Sequence, residues 1–554
     1  MADAKSTNGV ELTFRPPRGT PESKGAEPPR YRTFVEAGMR VEIDVPVRLR
    51  DGVVMYVDVA RPIDGEPVPP IIAWGPYGKH IPNQPERYLP GAVDPKDLSP
   101  RARFEAPNPD YWVPNGYAIV NVNPRGTWYS EGKASYMSAQ EDQDFYDVIE
   151  WAGTQPWSNG KVGLSGVSYL TVSQWRVAAL NPPHLAAINP WEGWSDTYRE
   201  VVYHGGIPDT NFWEYLSNRW GHSVTEVEDI MAETDSHPYF DTFWESKAAD
   251  LAAIRVPAYV VASWTDHGLH TRGTFEGFKK IKSTHKWLEV HGRKKWAHYY
   301  APENVARAKV FFDRFLKGID NEISDWPNVR YEIREQFFVG DMKNDVSWPP
   351  ATTQYKKLFL DGQHGTLATQ EPSHTAAVAY DAVDSRPVPS RAEFTFTFSE
   401  RTDVVGNMAL HAFVEADGSN DMDLFVGVHK LDENGNPVPF PFCAQFDEGQ
   451  VALGWLRVSQ RELDAEKSTP EQPVLAHQRT MKLAKGEIAK VSIEILPSGT
   501  RFEAGEKLLL VVQGSEVPKH KALAHYAHER SVNAGRHIIH TGPEYPSYLV
   551  MPVI

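Results

Sequence analysis

The chain has a single cysteine, Cys443, among 554 residues. An internal disulfide is therefore excluded, as is any thiolate metal cluster, and a reducing compartment is the expectation. Within Phe442-Cys-Ala444 this cysteine reads as a small buried filler. Uninterrupted apolar runs of membrane-spanning length are missing. Residues Met1–Asn8 lack the apolar core of a signal peptide, so a cytoplasmic location is expected. Basic clusters are also scarce, since Arg293-Lys-Lys295 is too short to count. With a net charge of −16, this argues against nucleic acid or an anionic membrane as a partner. There is no solenoid repeat and no low-complexity tract. The twenty histidines show no convincing metal-ligand spacing, so no metal and no cofactor are expected.

What is present is an ordinary globular composition, 41% hydrophobic and 23% charged, at a length that implies two or three domains. Residues 1–36, rich in Pro, Gly and charge, read as an N-terminal arm that covers another part of the protein or stays mobile. Alternation over Val41–Leu49 and Val53–Val59 predicts a β-hairpin. Buried-strand runs follow at Pro69–Pro76, Tyr117–Val122, Ala186–Pro190 and Val256–Ser263. Phe145, Val148, Ile149 and Ala152 recur at helical spacing. Strands alternating with helices point to a largely parallel sheet. Residues 194–253 break that rhythm and read as an aromatic, helical cap over the C-terminal edge of the sheet, where open α/β sheets bind ligands. From residue 346 the pattern becomes β-alternation, as in Ala392–Phe398, Met408–Val414, Asp423–His429, Ala489–Ile495 and Lys507–Gln513, which predicts an all-β sandwich. The fold class is thus α/β plus all-β, with a catalytic core at 37–193 and 254–345, the cap at 194–253 and the sandwich at 346–554.

The chemistry centres on Lys161-Val-Gly-Leu-Ser-Gly-Val-Ser-Tyr-Leu170. An apolar strand run, a Gly-x-Ser sequence and a helical run from Tyr169 form the layout of a nucleophile elbow, a strained turn that lifts a serine hydroxyl to the head of a helix. Ser168 is the expected nucleophile and Ser165 its rival; Gly-x-Ser-x-Gly is incomplete in both registers, with Leu170 two residues after Ser168. The bland reading is a serine that caps a helix. Such a nucleophile needs a base and a group to orient it, in the chain order Ser, acid, His. Asp266 ends a strand-like run. His298 lies in a loop between a strand and a helix and is favoured over His291, which ends the strand itself. His267 and His270 are set aside as too near Asp266 in the chain. Trp191, Trp194, Trp213 and Trp264 are candidates to line a pocket for a bulky or aromatic acyl group, although most tryptophans are core residues.

Gly166–Leu170, Asn123-Pro-Arg-Gly126 with Ser130-Glu-Gly132, Gly75-Pro-Tyr77, Trp264-Thr-Asp266 and Trp296-Ala-His298, in that order, resemble the cocaine esterase / α-amino-acid ester hydrolase / X-prolyl dipeptidyl-peptidase superfamily. Thr402–Leu410 and Leu453–Arg461 resemble its C-terminal β domain. The resemblance covers almost everything after about residue 38. It implies an α/β-hydrolase core, a helical cap and a jelly-roll β-sandwich. It also implies a Ser168/Asp266/His298 triad and an oxyanion hole made by the Tyr77 hydroxyl and the Tyr169 backbone N–H. Two departures stand out: Thr171 replaces a usual glycine, and Arg293-Lys-Lys-Trp296 replaces a usual Gly-Pro-Trp lead-in to the histidine. Members that recognise a free α-amino group carry acidic residues just after the aspartate. Here His-Gly-Leu-His follows, leaving Glu192 and Asp196 as the candidates for that role.

The expected function is a cofactor-independent serine hydrolase of carboxylic esters, with amides open, acting through an acyl-enzyme. The alternatives are an X-prolyl peptidase, amidase or acyltransferase of the same superfamily, or, in another class, a catalytically inactive carbohydrate-binding protein. The partner expected is a small-molecule ester or amide; homo-oligomerisation is left open.

Overall fold

The computed structural model describes residues 10–83, 93–518 and 526–554; the first nine residues of the expected arm lie outside them. The core is one twisted sheet. Its strands are β1 (Met39–Arg48), β2 (Val54–Pro62), β3 (Pro70–Trp74), β4 (Ala118–Asn123), β5 (Val162–Val167), β6 (Leu185–Trp191), β7 (Ala258–Ser263), β8 (Lys286–His291) and β9 (Val329–Gln336). They lie side by side in the order 1-2-4-3-5-6-7-8-9, with β1 and β2 antiparallel and β4 onward parallel. Parallel neighbours need crossovers, and helices supply them.

Both faces of the sheet are covered, and side-chain alternation shows how. Ile72, Val120, Ile188 and Val260 join one apolar cluster, whereas Ile71, Ile119, Ala187 and Val261 join another. Successive residues of a strand point to opposite faces, and strands buried on both faces read as unbroken apolar runs. The first face is covered by α1 (Ala139–Gly153), α2 (Tyr169–Ala179) and α6 (Thr271–Lys280), which bring Phe145, Val172 and Phe275. The second is covered by α7 (Lys295–Tyr300) and α8 (Pro302–Lys317), which bring Tyr299, Phe311 and Phe312.

Between β6 and β7 the chain forms α3 (Phe212–Arg219), α4 (Ile230–Ser236) and α5 (Thr242–Lys247). Two short strand pairs escaped the sequence reading: Tyr203–His204 with Ile207–Pro208, and Val227–Glu228 with Phe14–Arg15. The second pair seats residues from the N-terminal segment on this region, and Arg15 reinforces it by donating to the Ser217 carbonyl at 3.1 Å.

After β9 the chain is dominated by antiparallel strands with an apolar cluster of their own, including Leu358, Phe394, Leu410, Val426, Ile493 and Leu510. Arg391–Thr397 and Asp423–Leu431 flank Lys507–Gln513, while Thr402–Asp417 pairs with Ala489–Phe502, Arg536–Thr541 and Tyr548–Val553. This part meets the core closely. Arg334 of β9 pairs with Thr500, and the buried Arg334 guanidinium donates to the Ser498 hydroxyl at 2.8 Å. No described helix is long and apolar enough to cross a membrane.

Candidate active site

Ser168 sits between β5 and α2 at φ 61° and ψ −119°. A non-glycine residue held there costs about 1–3 kcal/mol and persists only where the surroundings enforce it. They do so here: the Ser168 N–H donates to the Glu192 carbonyl at 3.0 Å, and two helical N–H groups return to the Ser168 carbonyl. Gly166, at φ +149°, leaves the room that the turn needs, since a Cβ there would meet Leu170 at 2.5 Å. Thr171 is fully integrated. Its hydroxyl lies 2.9 Å from the Gly166 carbonyl and 2.7 Å from both the carbonyl and the N–H of Trp191, stitching β5 to β6. The room for its methyl comes from Gly193, where a Cβ would approach the threonine within 2.4 Å.

The Ser168 hydroxyl lies 3.1 Å from Nε2 of His270. Nδ1 of the same ring makes a very short bond to Oδ2 of Asp266. All three side chains are buried. The histidine brought to the serine is therefore His270, the one set aside for its nearness to Asp266. Nearness in the chain is what makes the contact. After β7 the backbone closes a single turn, in which the N–H groups of Leu269, His270 and Thr271 all reach the Asp266 carbonyl. Residues four apart then share one face. Gly268 enables the turn at φ +82°, and the ring of Tyr526 fills the space where a side chain would stand. A D-x-G-x-H spacing just after a strand was the signal available in the sequence.

His298 is not brought to Ser168. It lies on the other face of the sheet, its ring stacked on His291 at 3.8 Å between centroids and close to Trp191. Its Nδ1 faces the Asn304 amide at 3.0 Å, and its Nε2 is 3.6 Å from Glu289. Burial pushes its pKa down to about 4, so it is a neutral structural group. The reason lies in the lysine-rich lead-in. Short helix α7 starts at Lys295 and turns that residue, rather than the histidine one turn later, toward the acid. The Lys295 ammonium lies 2.9 Å from Asp266 Oδ2 and 3.2 Å from His270 Nδ1. Cys443 is more than a filler: its thiol donates to Asp266 Oδ1 at 3.2 Å, and its N–H to the Thr265 carbonyl at 2.7 Å. The C-terminal part thus closes one side of the acid.

These charges set the titration. Burial opposes ionisation of Asp266, but the Lys295 and His270 charges and their hydrogen bonds outweigh it and hold the carboxyl far below its usual range. Burial, then the Lys295 charge, pushes His270 down from its ordinary value against the pull of Asp266. Burial raises the Cys443 thiol, which stays protonated. Glu192 and Glu105 are each pushed up to about 7, chiefly by burial.

Burial raises the Tyr77 phenol well above its ordinary value, against a smaller opposing influence of Ser168, so it stays protonated. Tyr169 is the first residue of α2, so its N–H has no acceptor one turn back. Its own hydroxyl is anchored 2.8 Å from each Glu141 oxygen. These are the two groups to which the resemblance assigns the oxyanion hole.

Of the four tryptophans, Trp194 adjoins the site, stacked on His270 at 5.7 Å. Trp213 reaches it only through Trp220, which packs on Tyr169. Trp191 shares strand parity with Ala187, so it belongs to the face under α7 and α8. Trp264 is core: its N–H donates to the Glu332 carbonyl and its ring stacks on Phe275. Glu192 is engaged by Ser263 at 2.6 Å and His291 at 3.0 Å, and Asp196 by Arg199 at 2.7 Å. Both carboxylates thus already have partners. Away from this site, Asp361, His364 and His374 come together although the sequence showed no such spacing; the carboxylate accepts from both rings, at 2.8 and 3.0 Å.

A family model described as X-Pro dipeptidyl-peptidase (S15 family) matches residues 51–222, and one described as the X-Pro dipeptidyl-peptidase C-terminal non-catalytic domain matches residues 321–550. A solved CocE/NonD family hydrolase from Staphylococcus aureus is 42% identical, with a TM-score of 0.91, across 98% of this chain and 99% of its own. The chain belongs to the CocE/NonD hydrolase family. Cocaine esterase of Rhodococcus sp. is 25% identical over 626 residues, covering 94% of this chain and 100% of its own. An α-amino acid ester hydrolase shares the fold, at 18% identity and a TM-score of 0.71 over 94% of this chain and 98% of its own. Within this CocE/NonD chain the two matched segments hold Ser168 and Cys443, whereas Asp266, His270 and Lys295 fall between them.

Proposed function

We propose that this CocE/NonD chain is a serine hydrolase of carboxylic esters, working through an acyl-enzyme formed on Ser168. The observation that carries this reading is the strained Ser168 with its hydroxyl 3.1 Å from His270, whose other nitrogen is held by Asp266. His270 takes the serine proton as Oγ attacks the substrate carbonyl. The same proton passes from Nε2 to the departing alcohol as the ester bond breaks. Water, deprotonated by His270, then cleaves the acyl-enzyme and releases the acid. Asp266 holds the tautomer and stabilises the imidazolium. We assign the oxyanion to the Tyr77 hydroxyl and the Tyr169 N–H, and the pocket walls to Phe104, Trp194 and Trp220. The core corresponds to an α/β-hydrolase, residues 194–253 to its cap, and the C-terminal strands to a jelly-roll wall that presents Cys443. The substrate is a carboxylic ester; amides are slower. With Glu192 and Asp196 engaged, α-amino esters and X-prolyl peptides are disfavoured. An inactive binding protein would have no need of a strained serine held against a histidine–aspartate pair.

A burst assay with p-nitrophenyl esters of graded size, alongside the matching anilides and one α-amino ester, tests this reading. A burst with the neutral esters, and weaker turnover of the anilides and the α-amino ester, is expected. Absence of turnover across the series would sink it.

Tyr77→Phe should lower kcat by about 10²–10³-fold, the usual effect of losing one oxyanion donor, with little change in KM. An effect confined to KM would remove Tyr77 from that role.

Lys295→Met tests how the base is tuned. His270 must be neutral to act, so activity is lost as pH falls through its pKa. Lys295 holds that pKa down, and its removal should raise it. The acid limb of the kcat/KM profile is therefore expected to move to higher pH. A limb that stays in place contradicts an electrostatic action of Lys295 on His270.

A further inference from the structure

Beside Tyr77 and Phe104 lies a cation that the acyl-transfer chemistry does not use. Arg219, the last residue of α3, lays its guanidinium over two rings of the site, 4.9 Å from the Tyr77 centroid and 4.3 Å from that of Phe104. One of its N–H groups donates to the Tyr215 hydroxyl at 3.0 Å. Among the described residues no carboxylate lies within ion-pair distance of this half-buried side chain. The Arg219 charge favours ionisation of both Tyr77 and Glu105, while the Glu105 charge opposes it at Tyr77. Two further donors nearby lack acceptors. The indole N–H groups of Trp194 and Trp220 are buried and unpartnered among the described residues. Both rings pack on Tyr169, at 6.3 and 4.9 Å. Buried donors are costly unless something accepts from them, and a guanidinium has the planar fork that matches a carboxylate.

Position within the site assigns the side of the substrate. The leaving group must face His270, which returns the proton to it, and Trp194 stacks on that ring. The Tyr169 ring lies between Trp194 and Tyr77, and Arg219 lies on the Tyr77 side. A group that reaches Arg219 therefore belongs to the acyl half. Resting on the acyl-transfer reading above, we propose that the preferred substrates are monoesters of short dicarboxylic acids, with the free carboxylate of the acyl chain bound by Arg219. This specificity is opposite in sign to recognition of an α-ammonium group.

The test compares kcat/KM for monoethyl glutarate, for its neutral carboxamide analogue and for ethyl valerate, by pH-stat. A preference of at least about tenfold for the carboxylate, lost in Arg219→Met and partly kept in Arg219→Lys, is the expected result for a desolvated charge pair. Equal or faster turnover of the neutral esters by the unaltered protein overturns the proposal, with no variant needed. So does an Arg219→Met variant that slows all three substrates alike, because Arg219 would then only brace Tyr77. Turnover of no ester of either charge would instead defeat the hydrolase reading on which the proposal rests.

Discussion

His270→Ala should reduce kcat by about 10⁴–10⁶-fold, whereas His298→Ala should leave it within about tenfold of the unaltered protein, by analogy with triad knockouts in unrelated serine hydrolases. Two different losses are at stake. Removing His270 deletes the only imidazole that the described structure places against Ser168, and it leaves the Asp266 carboxylate to Lys295 and the Cys443 thiol. No general base then remains to deprotonate serine or to protonate the leaving alcohol. Removing His298 deletes a ring stacked on His291 and a partner of Asn304. That is a stability effect of about 1–3 kcal/mol through lost ring contacts and one lost amide hydrogen bond, the Asn304 amide keeping its bond to the backbone carbonyl of residue 298. Steady-state kinetics on both variants, with thermal melting of each, separates the two effects. A collapse of kcat in His298→Ala with a normal melting temperature would reverse the assignment.

Ser168→Ala is expected to abolish turnover to the same depth, about 10⁵–10⁶-fold, without unfolding the protein. Loss of the hydroxyl leaves the strained turn to alanine, which pays the same backbone strain but forfeits the nucleophile. Ser165→Ala is the matched control. Ser165 lies within β5 and points to the face covered by α7, with its hydroxyl 3.2 Å from Asn189 and 3.3 Å from Tyr299. Its loss removes two weak hydrogen bonds in a polar niche, so kcat should stay within about threefold of normal. Single-turnover kinetics on both variants checks this. A dead Ser165→Ala beside an active Ser168→Ala would shift the elbow by three residues.

The contrast between these residues shows what a one-dimensional reading can reach. The elbow was legible because its requirements are local: an apolar strand, a glycine that leaves room, a serine and an immediate helix. The alternation of the strands and the aspartate at the end of β7 were legible for the same reason. His270 is not legible from chain order, because that order carries no minimum separation between the acid and the histidine. A glycine in the left-handed region lets Asp266 and His270 meet within a single turn. The tryptophans divide by strand parity, and parity could have placed Trp191 on the far face had the register of β6 been followed from Ala187. Lys295 and Cys443 could not have been found this way. The first depends on where α7 begins, and the second crosses 177 residues to reach Asp266. Thr171 is a case of compensation: its bulk is tolerated because Gly193, on the neighbouring strand connection, is bare.

The activation of Ser168 rests on the identity of its base. Fluorophosphonate labelling, located by mass spectrometry and timed in the unaltered protein, His270→Ala and His298→Ala, measures it. The label should fall on Ser168 in all three, at nearly equal rates in the unaltered protein and His298→Ala, and orders of magnitude more slowly in His270→Ala. Rapid labelling of Ser168 in His270→Ala together with slow labelling in His298→Ala would contradict the arrangement of Ser168, His270 and Asp266 described above.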